Sequence, residues 1–346
     1  MSRFGIGVVC SLQDWDGSSF LSIWIGLSIL SLIFLVIFSS ACFYFLYYYP
    51  TFASWRYKIN PQYPSPLKVR EEVIVMLRGI GFSTFCPALS LWCVKQKLGH
   101  AYCGISESTG GIGWLAQSFI IVWIFTDVYE FLYHWLGHVT RSMWQLHKVH
   151  HHFYNPTPFA VIADDPIDQF FRAAPLLFLP YFMPVNIDMI FTMFSVLFYF
   201  NGLVQHSGFE VPWLETIGID GHSRLILTSY HHYLHHAKST LYKPLYNGQL
   251  LQVWDHLVGS SAQPKTIDEM LTTKSNGHGC SIKTLPCSFA DIMDGVEVCC
   301  CSKCSRAAGL RDVESWNKIV KPDYSVLLTL PFWLAADSQD SATKSM

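Results

Sequence analysis

The apolar positions of this chain fall into long uninterrupted blocks rather than into short amphipathic segments. Residues 20–49 contain no charged side chain, are rich in Leu, Ile and Phe, and end in Tyr47-Tyr48-Tyr49-Pro50. A run of this length crosses the hydrocarbon core of a bilayer as one helix, and its aromatic end has the character of an interfacial belt. It does not read as a removable signal peptide, since the apolar region is too long and no basic leader or small-residue cleavage site flanks it. A second span is predicted over about residues 73–94, interrupted by Arg78 and Pro87, and a third over 112 to about 133. The block 173–204 has Pro175, Pro180 and Pro184 in its first half and Asn186 and Asp188 at its centre. That pattern predicts a broken pair of helices that dips into the bilayer and returns, because proline and polar residues mark bends.

Loop charges orient these spans. Arg56, Lys58, Lys68 and Arg70 lie between the first two, whereas the segment before the first carries Arg3 against Asp14 and Asp16. The 50–72 loop is therefore expected in the cytosol and the N-terminus in the lumen. Two further crossings return the chain to the cytosol near Tyr133, and a hairpin over 173–204 would bring His206 out on that same side. Composition agrees, with 51% hydrophobic and 14% charged residues and a mean hydropathy of +0.27. With 23 Lys and Arg against 25 Asp and Glu, no nucleic-acid partner is expected. Fold class is thus expected to be all-α: a polytopic membrane protein of about four hydrophobic spans with a cytosolic, histidine-rich cap. The divisions are a lumenal N-terminus (1–19), a transmembrane region (20–114), a histidine-bearing domain (115–260) and a polar, cysteine-containing C-terminal tail (261–346).

The cap is where the chemistry concentrates. Twelve of the 15 histidines lie between His134 and His236. Most fall in three groups: His134-Trp-Leu-Gly-His138, His147-Lys-Val-His150-His151 and His232-Tyr-Leu-His235-His236. On a helix an imidazole recurs on the same face three or four residues later, so each group can aim several ring nitrogens at one point. The three groups supply more nitrogens than one four-coordinate zinc can use, which points to two metals. Imidazole suits zinc, copper, iron and nickel alike, so ligand type alone does not choose the element. His100, His256 and His278, standing alone, read as ordinary core or surface residues. Asp127 and Glu130 interrupt the third apolar span close to His134; each reads either as a carboxylate that accepts an imidazole N–H and fixes its tautomer, or as a plain interfacial charge.

The order His-x-x-x-His, His-x-x-His-His, lone His, His-x-x-His-His resembles that of the fatty acid hydroxylase and sterol desaturase superfamily of membrane di-iron oxygenases. The resemblance covers about residues 115–260. Leu146 to His152 followed by Asn155-Pro-Thr-Pro-Phe-Ala160 and Pro166-Ile-Asp168 is similar to sterol C-5 desaturases, and Trp254-Asp-His-Leu-Val-Gly-Ser260 to the family's closing segment. Carried over residue by residue, it implies metal ligation by His134, His138, His147, His150, His151, His206, His232, His235 and His236. His206 corresponds to the lone-histidine site in Gln205-His206-Ser207-Gly208. One turn earlier, where wider relatives carry another His or Asn, this chain has Gly202 beside Asn201, which leaves His231 and His222 as candidates for a tenth ligand; His152 reads as solvent-facing. Before Pro-Ile-Asp the C-5 desaturases carry a histidine, and here Asp164-Asp165 stands instead, a departure that bears on substrate and not on metal.

The resemblance implies two Fe ions with O2 as co-substrate, with zinc an alternative occupant in recombinant protein. It implies oxidation, by desaturation or hydroxylation, of a sterol or related membrane lipid. Sterol C-5 desaturase-like activity is expected first, and a lipid or sterol hydroxylase or methyl oxidase of the same superfamily is the alternative. A membrane metal transporter is the reading from another class, but transporters hold their ligands near the bilayer midplane, whereas these groups lie in charged stretches outside the apolar runs. The chain has neither a nicotinamide- or flavin-binding fingerprint nor a fused haem motif, so electrons are expected from elsewhere; the resemblance implies cytochrome b5 and an NADH-dependent reductase as the donors, and Arg141, Lys148, Lys238 and Lys243 are candidates for a docking surface. Localisation is expected in the endoplasmic reticulum membrane, multi-pass, with the site cytosolic. The tail carries Cys280, Cys287, Cys299, Cys300, Cys301 and Cys304; reduced thiols or palmitoylation fit a cytosolic tail better than zinc does. Cys10 and Cys103 would both be lumenal, where a disulfide between them is open to them.

Overall fold

The structure, a computed structural model, describes residues 8–11, 19–211, 214, 225–261 and 313–335. His222, His278 and the cysteines of the tail lie outside the described residues. Among the described residues every element is helical, and pairing between extended segments is limited to isolated bridges such as Lys58 with Phe209.

After α1 (Val8–Ser11), α2 (Phe20–Phe43) starts at Ser19, whose hydroxyl accepts from Ser22 N, and it ends in a π-helical turn over Tyr44–Tyr48. There the fully buried Tyr47 donates its hydroxyl to Ser207 O at 2.8 Å, tying the end of the span to a histidine-bearing segment. The short α3 (Phe52–Trp55) leads to α4 (Pro66–Ser83) and α5 (Phe85–Lys95), which meet at Thr84. Pro87 sits in the first turn of α5, where its missing N–H would have no helical acceptor, so the predicted interruption becomes a joint between two helices. α6 (Gly111–Val139) is the longest helix among the described residues. It continues past Tyr133, the expected end of the third span, and so carries His134 and His138 itself.

Beyond α6, α7 (Arg141–His147) and a 3-10 turn at His150–His152 are followed by α8 (Pro166–Arg172), α9 (Pro175–Phe182), α10 (Ile187–Met193), a π-helical stretch Phe194–Tyr199 and α11 (Phe200–Gln205). Among the described residues four stretches are long and apolar enough to cross a membrane: Phe20–Tyr48, Pro66–Lys95, Glu107–Val139 and Ile187–Gln205. The expected hairpin over 173–204 is therefore unequal, a short α9 going in and one unbroken apolar stretch coming back. Its turn is pinned at the end of the bundle remote from the histidines. Trp114 Nε1 donates to Pro184 O at 2.8 Å, Asn186 Nδ2 to Gly104 O at 2.9 Å, and Asp188 accepts the N–H groups of Val9 and Cys10. Cys10 and Cys103 form a disulfide at that end. Polar residues that interrupt the apolar block thus find partners in the turn, as buried polar groups must.

The cap is completed by α12 (Ser229–Lys238) and α13 (Val253–Val258). α14 (Val313–Lys318) and α15 (Leu330–Leu334) return from the tail to pack on the cap. Trp316 lies 5.6 Å from the Trp55 ring, and the Tyr324 hydroxyl donates to Pro64 O at 2.6 Å. One buried cluster, with Tyr47, Trp55, Phe159, Phe209 and Tyr324, supports the histidine end, and another, with Leu91, Val122, Ile187 and Ile190, fills the opposite end.

Candidate metal centre

The nine histidines expected as ligands converge into two sets. His134, His138, His147, His151 and His235 form one, His150, His206, His232 and His236 the other, and in each set one nitrogen per ring lies within 4.8 Å of all the others. The sets cut across the sequence groups. His134 and His138 are four apart on α6 and share a face. Neighbours such as His150 and His151, or His235 and His236, point about a quarter-turn apart and go to different sets, so α12 and the 147–151 segment each serve both.

Six rings are held by Nδ1. In the five-histidine set, His134 Nδ1 meets Asn247 O at 2.9 Å, His138 meets Thr240 O at 3.3 Å, and His235 meets Leu245 O at 2.7 Å. His206 Nδ1 meets Gly202 O at 2.8 Å. Carboxylates hold two more: Asp168 Oδ2 is 3.3 Å from His147 Nδ1, and Asp164 Oδ1 is 2.7 Å from His150 Nδ1. Each such partner fixes the tautomer that leaves Nε2 with a lone pair facing inward.

The inward nitrogens have no other use. Nε2 of His134, His138 and His235 is buried without a hydrogen bond. Elsewhere Nε2 atoms face one another, 3.1 Å apart for His147 and His151, 3.2 Å for His150 and His206, 2.9 Å for His206 and His232, and 3.1 Å for His232 and His236. Metal–nitrogen bonds of about 2.0–2.1 Å separate neighbouring ligand nitrogens by roughly 3 Å, so the spacing fits rings arranged around an ion. Burial, reinforced by neighbouring rings, lowers the pKa of His147, His151, His232, His235 and His236 well below the usual value and that of His206 to about 3. Neutral imidazole is the form that binds metal. The donor set fits two metal ions.

Asp127 and Glu130 do not hold His134. Asp127 instead accepts from Leu250 N at 3.0 Å and Trp254 Nε1 at 2.7 Å, while Asp255 accepts from Asn247 N at 2.7 Å, Gly248 N at 2.9 Å and the Ser260 hydroxyl at 2.6 Å. Together they anchor the 240–250 loop whose carbonyls orient His134, His138 and His235; this explains what Trp254-Asp-His does locally. Glu130 Oε2 lies 3.2 Å from Arg172 Nε. A helical residue reaches the turn N-terminal to its own Cα, so a carboxylate one turn before His134 points away from that ring.

The carboxylates that do touch imidazoles of the two sets are Asp164 and Asp168, neither expected among the site residues. Asp164 is fully buried, also accepts from Gln169, and lies 3.9 Å from Arg172 Nη1. Burial alone would push its carboxyl up, but the nearby His150 and Arg172 outweigh this and hold it below the usual range; Asp168 moves the other way, raised by burial and by the charge on Asp164. The available signal was clustering and spacing, since Asp164, Asp165, Asp168 and Arg172 fall within nine residues and Asp164, Asp168 and Arg172 recur every four. Asp165 faces outward and caps α8 by accepting from Ile167 N at 2.8 Å.

His231 joins neither set; its Nδ1 lies 3.0 Å from the Thr228 hydroxyl in the N-terminal cap of α12. His222 lies outside the described residues. His152 is exposed beside Glu71 and Lys68. At Gly202 a Cβ would stand 2.9 Å from Val161 Cγ2, leaving no room for a further ligand, and Asn201 is spent on Gln249 O at 2.7 Å. Arg141, Lys148 and Lys243 are exposed at the histidine end, with Lys238 half-buried.

A cavity of about 600 Å³ runs inside the bundle, bounded by α2, α4, α9, α10 and the π-helical stretch. His206 and His232 form part of its wall at one end, and Val9, Leu27 and Phe191 at the other. Leu30 of α2 and Val196 of the π-helical stretch line it and are each about half exposed.

A sequence profile of the fatty acid hydroxylase family matches residues 119–260. Among curated proteins the chain is 24% identical over 230 residues to lathosterol oxidase of Homo sapiens, covering 65% of this chain and 73% of that one. It is 29% identical over 168 residues to Delta(7)-sterol 5(6)-desaturase of Gibberella zeae, covering 48% of each chain, and 31% identical over 168 residues to that of Candida dubliniensis, covering 47% of this chain and 39% of that one. No solved structure matches the chain significantly.

Proposed function

Because the chain belongs to the fatty acid hydroxylase and sterol desaturase superfamily, we propose that it is an O2-dependent oxidoreductase that uses two iron ions to oxidise a sterol or related membrane lipid, with sterol C-5 desaturation as its reaction. The observation that carries this reading is the contact between the apolar cavity and the four-histidine set, through His206 and His232. Similarity to proteins named lathosterol oxidase and Delta(7)-sterol 5(6)-desaturase supports the substrate class.

Bound iron supplies the activation of O2 and the removal of hydrogen from an unactivated C–H bond, which side chains cannot do. The chain's own part is to hold, orient and exclude. Nine imidazoles would bind the ions: His134, His138, His147, His151 and His235 one, His150, His206, His232 and His236 the other. Asp164, Asp168 and the carbonyls of Gly202, Thr240, Leu245 and Asn247 keep the rings turned inward. Apolar walls bring one end of a lipid to His206 and His232 and keep water from it. In desaturation two adjacent carbons lose one hydrogen each, and O2 with two electrons and two protons becomes two waters. The electrons would come from cytochrome b5 and an NADH-dependent reductase, docking near the exposed Arg141, Lys148 and Lys243. The histidine end would face the cytosol of the endoplasmic reticulum, on the side of the basic 50–72 loop.

Sterol and lipid profiling of cells lacking the protein, together with expression in cells that lack sterol C-5 desaturase, tests the proposal. The expected result is restored Δ5 unsaturation and accumulation of the saturated sterol in the knockout. A hydroxylated product would replace desaturation with hydroxylation or methyl oxidation, and unchanged sterols and lipids would sink the oxidoreductase reading.

A further inference from the structure

Glu130 is buried at the cavity wall, one turn before His134, yet it orients no imidazole. Its Oε2 lies 3.2 Å from Arg172 Nε in an ion pair whose geometry falls short of a hydrogen bond, and the atom makes none elsewhere. Arg172, one-fifth exposed and also in the wall, reaches towards Asp164 at 3.9 Å, and Asp164 contacts His150 of the four-histidine set. Glu130 and Arg172 are the only Asp, Glu, Lys or Arg residues lining the cavity among the described residues, and both stand at its histidine end. Among the other polar groups of the wall, Ser83 and Thr84 donate to Ile80 O and Tyr199 is paired with Ser39, while Ser31, Thr192 and Ser195 are neutral hydroxyls away from the ion pair. A buried carboxylate oxygen without a hydrogen bond costs free energy that a ligand could recover.

Building on the proposed lipid oxidation, we infer that the Glu130–Arg172 pair receives a hydroxyl group of the lipid, so that the oxidised carbon lies within a few bonds of that hydroxyl and the apolar remainder extends towards Val9 and Leu27. A hydroxyl can donate to Glu130 and accept from Arg172 at once. A fatty-acid carboxylate would meet the carboxyls of Glu130, Asp164 and Asp168 against a single guanidinium, and a quaternary ammonium would meet Arg172 without being able to donate to Glu130. Pure hydrocarbon would leave Glu130 Oε2 with its ion pair to Arg172 and no hydrogen-bond donor. Along the stretch from Phe191 to Gly202 the wall extends roughly 16 Å at the helical rise per residue, which gives the apolar part of an elongated lipid room away from the histidines.

The test compares binding and products with defined lipids. Purified holoprotein in nanodiscs is titrated with a radiolabelled Δ7-sterol and with its 3-deoxy analogue. Wild type should bind the hydroxylated sterol on the order of 10–100-fold more tightly, the range for a hydrogen bond to a charged group. Glu130→Gln should reduce that ratio to a few-fold and Glu130→Leu should remove it, with two metals per chain retained. Equal binding of the two sterols to wild type would overturn the inference, and so would a variant ratio equal to that of wild type. If the Leu variant does not fold, the wild-type comparison and Glu130→Gln still decide. Product analysis separates the two levels: unsaturation or oxygen near C3 supports the inference, oxidation in the sterol side chain overturns it while sparing the oxidoreductase reading, and failure to oxidise any sterol overturns sterol oxidation and the inference built on it together.

Discussion

Asp164 and Asp165 are adjacent and chemically identical, yet their surroundings predict opposite consequences for the metals. Asp164 is fully buried, 2.7 Å from His150 Nδ1, and His150 belongs to the four-histidine set. In Asp164→Asn the shape is kept and the charge lost, and either the amide oxygen or the amide nitrogen must face the ring. Loss of a carboxylate behind a ligating histidine costs 10–100-fold in metal affinity, about 1.4–2.7 kcal/mol. The fold should survive, because Arg172 keeps Glu130 at 3.2 Å. Asp165→Ala removes a helix cap instead, since Asp165 accepts from Ile167 N at 2.8 Å; it should cost about 1 kcal/mol of stability and leave both metals in place. The assay is metal per chain by mass spectrometry across a chelator series, with thermal unfolding in parallel. Asp164→Asn should release one metal at chelator concentrations that wild type withstands, and the ion lost should be that of the four-histidine set, while Asp165→Ala melts lower and keeps two. Retention of both metals by Asp164→Asn at wild-type chelator concentrations would refute the assignment of Asp164 as the residue that positions His150. First loss from the five-histidine set would refute it as well.

His150→Ala and His235→Ala, one from each set, should each lower bound metal towards one ion and abolish turnover; a variant with full activity removes its histidine from the ligand set. Gly137→Ala should cut activity at least tenfold while helix content by circular dichroism stays unchanged, because a Cβ there would stand 3.1–3.2 Å from the His147 ring; near-wild-type activity would show that the ring can yield without cost. Protease-accessible tags at residues 60 and 160 should be cleaved from the cytosolic side and an N-terminal tag protected, and protection of residue 160 would contradict the proposed orientation. Cys10 and Cys103, 93 positions apart, should resist alkylation until reduced. Cys10→Ser should lower stability by at most about 4.7 kcal/mol, the chain-entropy limit for such a loop, and ready alkylation of both thiols without reductant would argue against the bridge.

Much of this protein was written in local pattern. Membrane spans are legible because the bilayer demands long uncharged runs, and an ionisable residue within one is conspicuous by its cost. The convergence of the nine histidines was legible because side chains that meet at one point from a helix must recur every three or four residues, and that periodicity survives in sequence. The hairpin over 173–204 was legible as a bend, since proline restricts the chain whatever surrounds it. What the sequence did not contain is which rings share a set. His150 and His151 are neighbours, but the set each ring joins is decided by segments packed from elsewhere in the chain, Asp164 and His206 for His150 and His138 and His235 for His151. Nor could spacing assign the carboxylates. Asp127 and Glu130 stood nearest to His134 along the chain, yet Asp164 and Asp168, on another segment, reach the imidazoles, and Asp127 anchors a loop more than 100 residues later. Neighbours along a helix are set by its period; a partner across the fold is set by how helices pack, and that depends on the whole molecule at once.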